Sequence, residues 1–125
     1  MCIAATPEEE AKFITQVRAV IASKNKDAYI ALYCLDGATE KQKASIARDA
    51  EFYFSKKYTV LEVKDRDASR PTEQTIQGVR HVLNLESSRV LHMEFTNEMN
   101  ATSKIQRALG EKEGKLMFAL FVPKK

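Results

Sequence analysis

The stretch Phe52-Tyr53-Phe54-Ser55-Lys56-Lys57-Tyr58-Thr59-Val60-Leu61-Glu62-Val63 decides the fold, because the spacing of its apolar side chains changes midway. Up to about Ser55 the pattern is helical: Ala44, Ala47, Ala50 and Phe54, flanked by Ile46 and Tyr53, recur on one face. From Tyr58 the period falls to two, with Thr59, Leu61 and Val63 on one side and Tyr58, Val60 and Glu62 on the other. Helices lie before this point and strands after it.

Toward the N-terminus, Thr39 and Gln42 form the capping-box signature of the helix that ends at Ser55. Asp27 to Tyr33 reads as a second, short helix ending before Asp36-Gly37, separated from the first by the polar run Ser23 to Lys26. The first helix has the clearest start. Thr6 caps the free amides, Pro7 fits the first helical position and Glu9 completes a capping box, while Glu8 and Glu10 favour the positive end of the helix dipole. Phe13, Ile14, Val17, Val20 and Ile21 form its apolar stripe.

Toward the C-terminus, Lys64 to Glu73, with Ser69-Arg70-Pro71, reads as a loop. Val79–Leu85 and Val90–Thr96 read as strands joined through Glu86–Arg89 into a hairpin. Ser103–Leu109 and Lys115–Val122 form a second pair around Gly110 to Gly114, and Pro123 ends the last strand. Three helices followed by about five closely connected strands predict an α+β domain with an antiparallel sheet.

The 125 residues suit one domain, and 44% apolar content is enough for one continuous core. Residues 1–6 are expected to be a flexible lead-in. The balance of 20 basic against 17 acidic residues provides no field that would gather nucleic acid. The paired lysines and arginines along the chain read as solvated faces. No apolar run approaches the roughly 20 residues of a membrane helix. Two cysteines, Cys2 and Cys34, make no disulfide framework and no C-x-x-C pair. Cys34 reads as a small buried apolar residue. Cys2, in Met-Cys-Ile-Ala-Ala-Thr, fits either a cytoplasmic N-terminus or a lipid-anchored, exported or periplasmic protein whose signal segment has been removed.

The four glycines match neither G-x-x-x-x-G-K nor G-x-G-x-x-G, and there is no G-x-S-x-G, H-E-x-x-H or calcium loop; no cofactor is implied. One constellation depends on register. Pairing Leu85 with Val90 puts Leu83 opposite His92 and His81 opposite Glu94, gathering His81, His92 and Glu94 on one face as a metal-ligand set or an acid–base group. The bland alternative makes this the solvated face, opposite Val82, Leu91, Met93 and Phe95. Tyr29, Tyr33, Tyr53 and Tyr58 lie in or beside the helices as amphipathic packing residues or as hydroxyl donors into a pocket. Asp36 serves either as a turn residue or as a carboxylate at a cavity mouth.

The segment Lys26-Asp27-Ala28-Tyr29-Ile30-Ala31-Leu32-Tyr33-Cys34-Leu35-Asp36-Gly37, with Gly78-Val79-Arg80 and Glu113-Gly114-Lys115-Leu116-Met117-Phe118-Ala119-Leu120-Phe121-Val122-Pro123, resembles uncharacterised bacterial members of the nuclear transport factor 2-like superfamily. That resemblance implies a strongly bent sheet curled around the helices as a cone, an apolar pocket at its open end, and often a homodimer through the outer sheet face. Such proteins divide among isomerases, dehydratases and cyclases, small-ligand binders and protein-binding modules. With no catalytic motif beside that fold pattern, the chain is read as a non-catalytic pocket or interaction module, and the residues singled out above, Tyr29, Tyr33, Asp36, His81, His92 and Glu94, are its candidate pocket residues. The alternatives are an isomerase-type enzyme using those groups, or a metal protein built on His81, His92 and Glu94.

Overall fold

The computed structural model describes residues 6–124; Cys2, and with it the expectation of a lipid anchor, lies outside them. Of the expected flexible lead-in only Thr6 is described, and it is the N-cap of α1 (Pro7–Ser23), its Oγ1 accepting from the Glu9 amide at 3.2 Å. The reciprocal bond expected from Glu9 is not formed; one oxygen of the Glu9 carboxyl is buried without a partner, with Glu111 as its neighbour. Lys24, in the left-handed region at φ 54°, ends α1, and the Asn25 side chain caps α2 (Lys26–Ile30). This helix is shorter than expected. Leu32 and Cys34 exchange helical bonds for strand-like ones: the Phe118 amide donates to Leu32 O at 2.8 Å and the Cys34 amide to Phe118 O at 2.9 Å. In α3 (Glu40–Phe54) both bonds of the Thr39/Gln42 capping box are present.

Among the described residues seven strands, not five, form two antiparallel sheets. The first runs in the order β1 (Tyr58–Asp65), β4 (Arg89–Thr96), β5 (Thr102–Lys112), β6 (Lys115–Phe118). The second runs β2 (Glu73–Ile76), β3 (Val79–Leu83), β7 (Phe121–Pro123). The protein is thus α+β, as its helix-then-strand order predicts.

The expected hairpin between the strands at 79 and 90 is not formed. Gln77 and Gly78, at φ 50° and 79°, make the two-residue turn that joins β2 directly to β3. β3 then pairs on its other edge with β7, whereas β4 sits between β1 and β5. The expected last strand is also split. β6 belongs to one sheet and β7 to the other, with Ala119-Leu120 crossing between them. Asn84 holds this crossing: its Oδ1 accepts from the Leu120 amide at 2.9 Å, and its Nδ2 donates to Cys34 O at 2.7 Å and Asp36 O at 3.1 Å.

The core lies between the helices and one face of the first sheet. Phe13, Val17 and Val20 of α1 and Ile46, Ala50 and Phe54 of α3 cluster with Leu61, Leu91, Met93, Leu109 and Phe118. Register explains the selection: Leu61 faces Met93, Val63 faces Leu91, and Ile105 faces Met93 from the other side, so these inward positions form one apolar patch. Each such side chain contributes about 1.5–3 kcal/mol through its removal from water. Phe13 packs edge-on to Phe118 with ring centroids 5.4 Å apart, which locks α1 onto β6.

Candidate functional site

Aromatic side chains nearly fill the space between helices and sheet. The cavity remaining among Val17, Val20, Tyr29, Tyr33, Tyr53, Tyr58, Met93, Arg107 and Phe118 is about 20 Å³, room for a water molecule rather than a ligand. Tyr29 and Tyr33 share a 2.7 Å hydroxyl–hydroxyl bond, Tyr29 stacks on Tyr53 at 5.7 Å, and the Tyr58 hydroxyl donates to Tyr53 O at 3.0 Å. Burial pushes the Tyr29, Tyr33 and Tyr58 phenols well above the usual tyrosine range, so they remain protonated hydrogen-bond donors.

Ligand-sized space lies outside this cluster. A groove of about 520 Å³ runs between α3 and the β2–β3 hairpin. Thr39, Gln42, Ser45, Ile46 and Asp49 form the α3 wall; Ile76, Gln77, Val79 and His81 form the hairpin wall; Leu120 and Pro123 also line it. Tyr33 and Arg107 border both the groove and the interior cavity. Ile76 and Val79 are a cross-strand pair at the hairpin tip, 41% and 47% exposed, so the hairpin wall offers uncovered apolar surface. The Gln42 Nε2 donates to Phe121 O at 2.6 Å, fixing α3 against β7 and with it the groove's width.

Arg107 reaches this place by register. It lies opposite Leu91, a fully buried residue, and therefore projects from the core face of the sheet. Its Nη2 donates to the Tyr53 hydroxyl, and the guanidinium lies 5.5 Å from the centre of that ring. Tyr33 is set in position by the strand-like pairing of its neighbours with Phe118, against whose ring it packs at 4.8 Å.

The candidate residues read from the sequence fall into three places. Tyr33 and His81 line the groove, with Tyr29 directly behind Tyr33. Asp36 is not at a cavity mouth: it is exposed and ion-paired with Lys112 at 2.7 Å, whose ammonium holds its carboxyl below the usual range. His92 and Glu94 lie on the opposite face of the first sheet from Leu91 and Met93. There the His92 Nε2–H donates to Glu94 Oε2 at 2.7 Å, and Gln106 Nε2 donates to His92 Nδ1 at 3.0 Å. That face is not simply wet, since His92 is only 6% exposed. The His92 bond holds the Glu94 carboxyl below its usual range.

His81 belongs to the other sheet, where its neighbours across β2 and β7 are Gln74 and Pro123. The expected grouping of His81, His92 and Glu94 is therefore absent. Among the described residues no three His, Cys, Asp or Glu side chains gather as metal ligands. Cys34 is buried, 1% exposed, and burial raises its thiol out of the reactive range.

Arg107, Asp49 and Ile46 are site residues that the sequence reading passed over. One signal was present: Ile105, Arg107 and Leu109 share a strand phase, and a charge in an inward phase asks for a reason. A second hollow of about 590 Å³ lies between α1, α2 and the β5–β6 turn. Its charged residues Lys112, Glu113 and Lys115 sit at the exposed turn, with no buried polar group converging on it.

No family model matches the chain, and no curated protein matches it. Among solved structures, a provisionally assigned calcium/calmodulin dependent protein kinase II association domain from Xanthomonas campestris aligns over 99% of this chain and 95% of its own. The two are 16% identical with a TM-score of 0.38, a likeness that fixes neither family nor activity. No helix among the described residues is long and apolar enough to cross a membrane.

Proposed function

We propose that this chain is a non-catalytic binding module of the nuclear transport factor 2-like superfamily that takes a small, partly apolar ligand in the groove between α3 and the β2–β3 hairpin. The observation that carries the reading is the groove itself. Its volume of about 520 Å³ lies within the range of small-ligand sites, and its walls combine Ile46, Ile76, Val79 and Leu120 with a few polar groups. The filled interior supports the same choice, since a cavity of about 20 Å³ admits no organic ligand. Superfamily membership draws support from the three helices followed by antiparallel strands and from the segments quoted above. A homodimer through the outer sheet face is a proposal of its own, tested by the mass in solution.

A second reading has one observation in its favour. An isomerase-type site needs a carboxylate base and a neutral phenol facing one substrate, and Asp49 and Tyr33 both line the groove. The binding reading is tested by a fragment screen on the ¹⁵N-labelled protein. Saturable shifts confined to groove amides are expected; shifts confined to the interior cavity or the 590 Å³ hollow overturn it. Turnover of a ligand, abolished by Asp49→Asn, would replace binding by catalysis.

A further inference from the structure

We propose that the groove's ligand is an organic acid whose carboxylate is gripped by the Arg107 guanidinium while its apolar body lies between Ile46 and the Ile76/Val79 hairpin tip. This rests on the groove being the binding site and adds the chemical class of what binds there. A guanidinium carries five N–H donors and stays charged at every relevant pH. Among the described residues the hydrogen-bond partner of Arg107 is one phenol, Tyr53 Oη, and no carboxylate lies within ion-pair distance of it. By contrast Arg80, Arg89, Lys26 and Lys112 each hold an acidic partner within 2.7–3.1 Å.

A cation projecting from the core face of a sheet, held by the Tyr53 ring and hydroxyl and short of acceptors, is suited to an incoming anion. The Tyr53 ring and hydroxyl restrain the guanidinium in advance, so little side-chain freedom is lost when a carboxylate docks on its remaining donors. Tyr33 adds a neutral donor at the same wall. In its bond with Tyr29 a single hydroxyl proton is used, and with Tyr29 as donor the Tyr33 proton is available to a second acceptor. The charged groups lining the groove are Lys41, Arg107 and Asp49, a formal excess of one positive charge. Asp49 opposes an anion, and this gives the proposal a second, opposite test.

The probes are 3-phenylpropanoate, its amide 3-phenylpropanamide and inorganic phosphate, titrated into the ¹⁵N-labelled full chain at pH 7. The carboxylate is expected to bind about tenfold or more tighter than the amide, a gap of about 1.4 kcal/mol. Arg107→Met is expected to remove that preference while amide binding persists. Asp49→Asn, on the exposed side of α3, is expected to widen the preference for carboxylate over amide, so the test survives if the arginine variant misfolds. Equal binding of acid and amide at the groove, no response to either variant, or phosphate binding as tightly as the acid overturns the organic-acid assignment and leaves the groove reading standing. If neither organic probe shifts groove amides, the assignment is overturned, and the groove reading is then judged by the fragment screen.

Discussion

At the scale of single residues, Asn84 has the clearest structural role. Its side chain serves three backbone groups on two different segments, Cys34 O, Asp36 O and the Leu120 amide, at the point where the chain passes from one sheet to the other. Asn84→Ala leaves all three without that partner, and a loss of about 2–4 kcal/mol is expected in chemical denaturation. The carboxylates give two predictions of opposite sign. The Glu94 carboxyl is held below its ordinary value of 4.5 by its bond with His92, so its contribution to stability is present above about pH 4.5 and is lost as pH falls through the lower, folded value. Glu111 behaves in reverse. Burial, then the neighbouring Glu9, raises its carboxyl, and one oxygen of each group is buried without a partner, so ionisation opposes the fold. Glu111→Gln is therefore expected to raise the thermal midpoint at pH 7, a gain that shrinks toward pH 4 because the wild-type carboxyl is then protonated. A midpoint lowered at both pH values would contradict this.

At the scale of elements, two glycines separate strain from steric contact. Gly114, at φ 79° beside Glu113 at φ 52°, forms the two-residue β5–β6 turn, and an added Cβ meets nothing within 4 Å. Gly110 takes ordinary strand backbone, but a Cβ there stands 2.6 Å from Leu85 Cβ and 2.7 Å from Glu86 O. Gly114→Ala should cost about 1–2 kcal/mol from the left-handed backbone alone. Gly110→Ala should cost more, up to about 3 kcal/mol, because backbone must shift. The reverse order in denaturation experiments would show that the approach of Leu85 to β5 is loose. The same region marks the limit of what could be read from the sequence. Helix starts were legible because Thr6, Thr39 and Gln42 act on neighbours three residues away. Strand partners were not, since β3 could be paired with β4 by proximity in sequence, and only the short Gln77-Gly78 turn and the distant β7 direct it elsewhere. β2 left little trace, as all four of its residues are exposed and carry no alternation.

At the scale of the whole molecule, two sheets meeting at Ala119-Leu120 leave a groove where α3 faces the β2–β3 hairpin. The candidate site was legible in part for the same reason. Tyr33 and His81, which line the groove, could be singled out because aromatic and titratable residues stand out locally, whereas the grouping of His81 with His92 and Glu94 required a strand pairing that does not exist. Arg107 and Asp49 come together only through the packing of α3 over the first sheet. The central claim is that this groove, and not the filled interior, receives the ligand. Methyl-labelled isoleucine spectra during titration with 3-phenylpropanoate test it most directly, because Ile46 and Ile76 stand on opposite walls while Ile21 borders the interior cavity. The account predicts that the Ile46 and Ile76 methyls shift together along one saturation curve while Ile21 stays in place. Movement of Ile21 with Ile46 and Ile76 unchanged would contradict it.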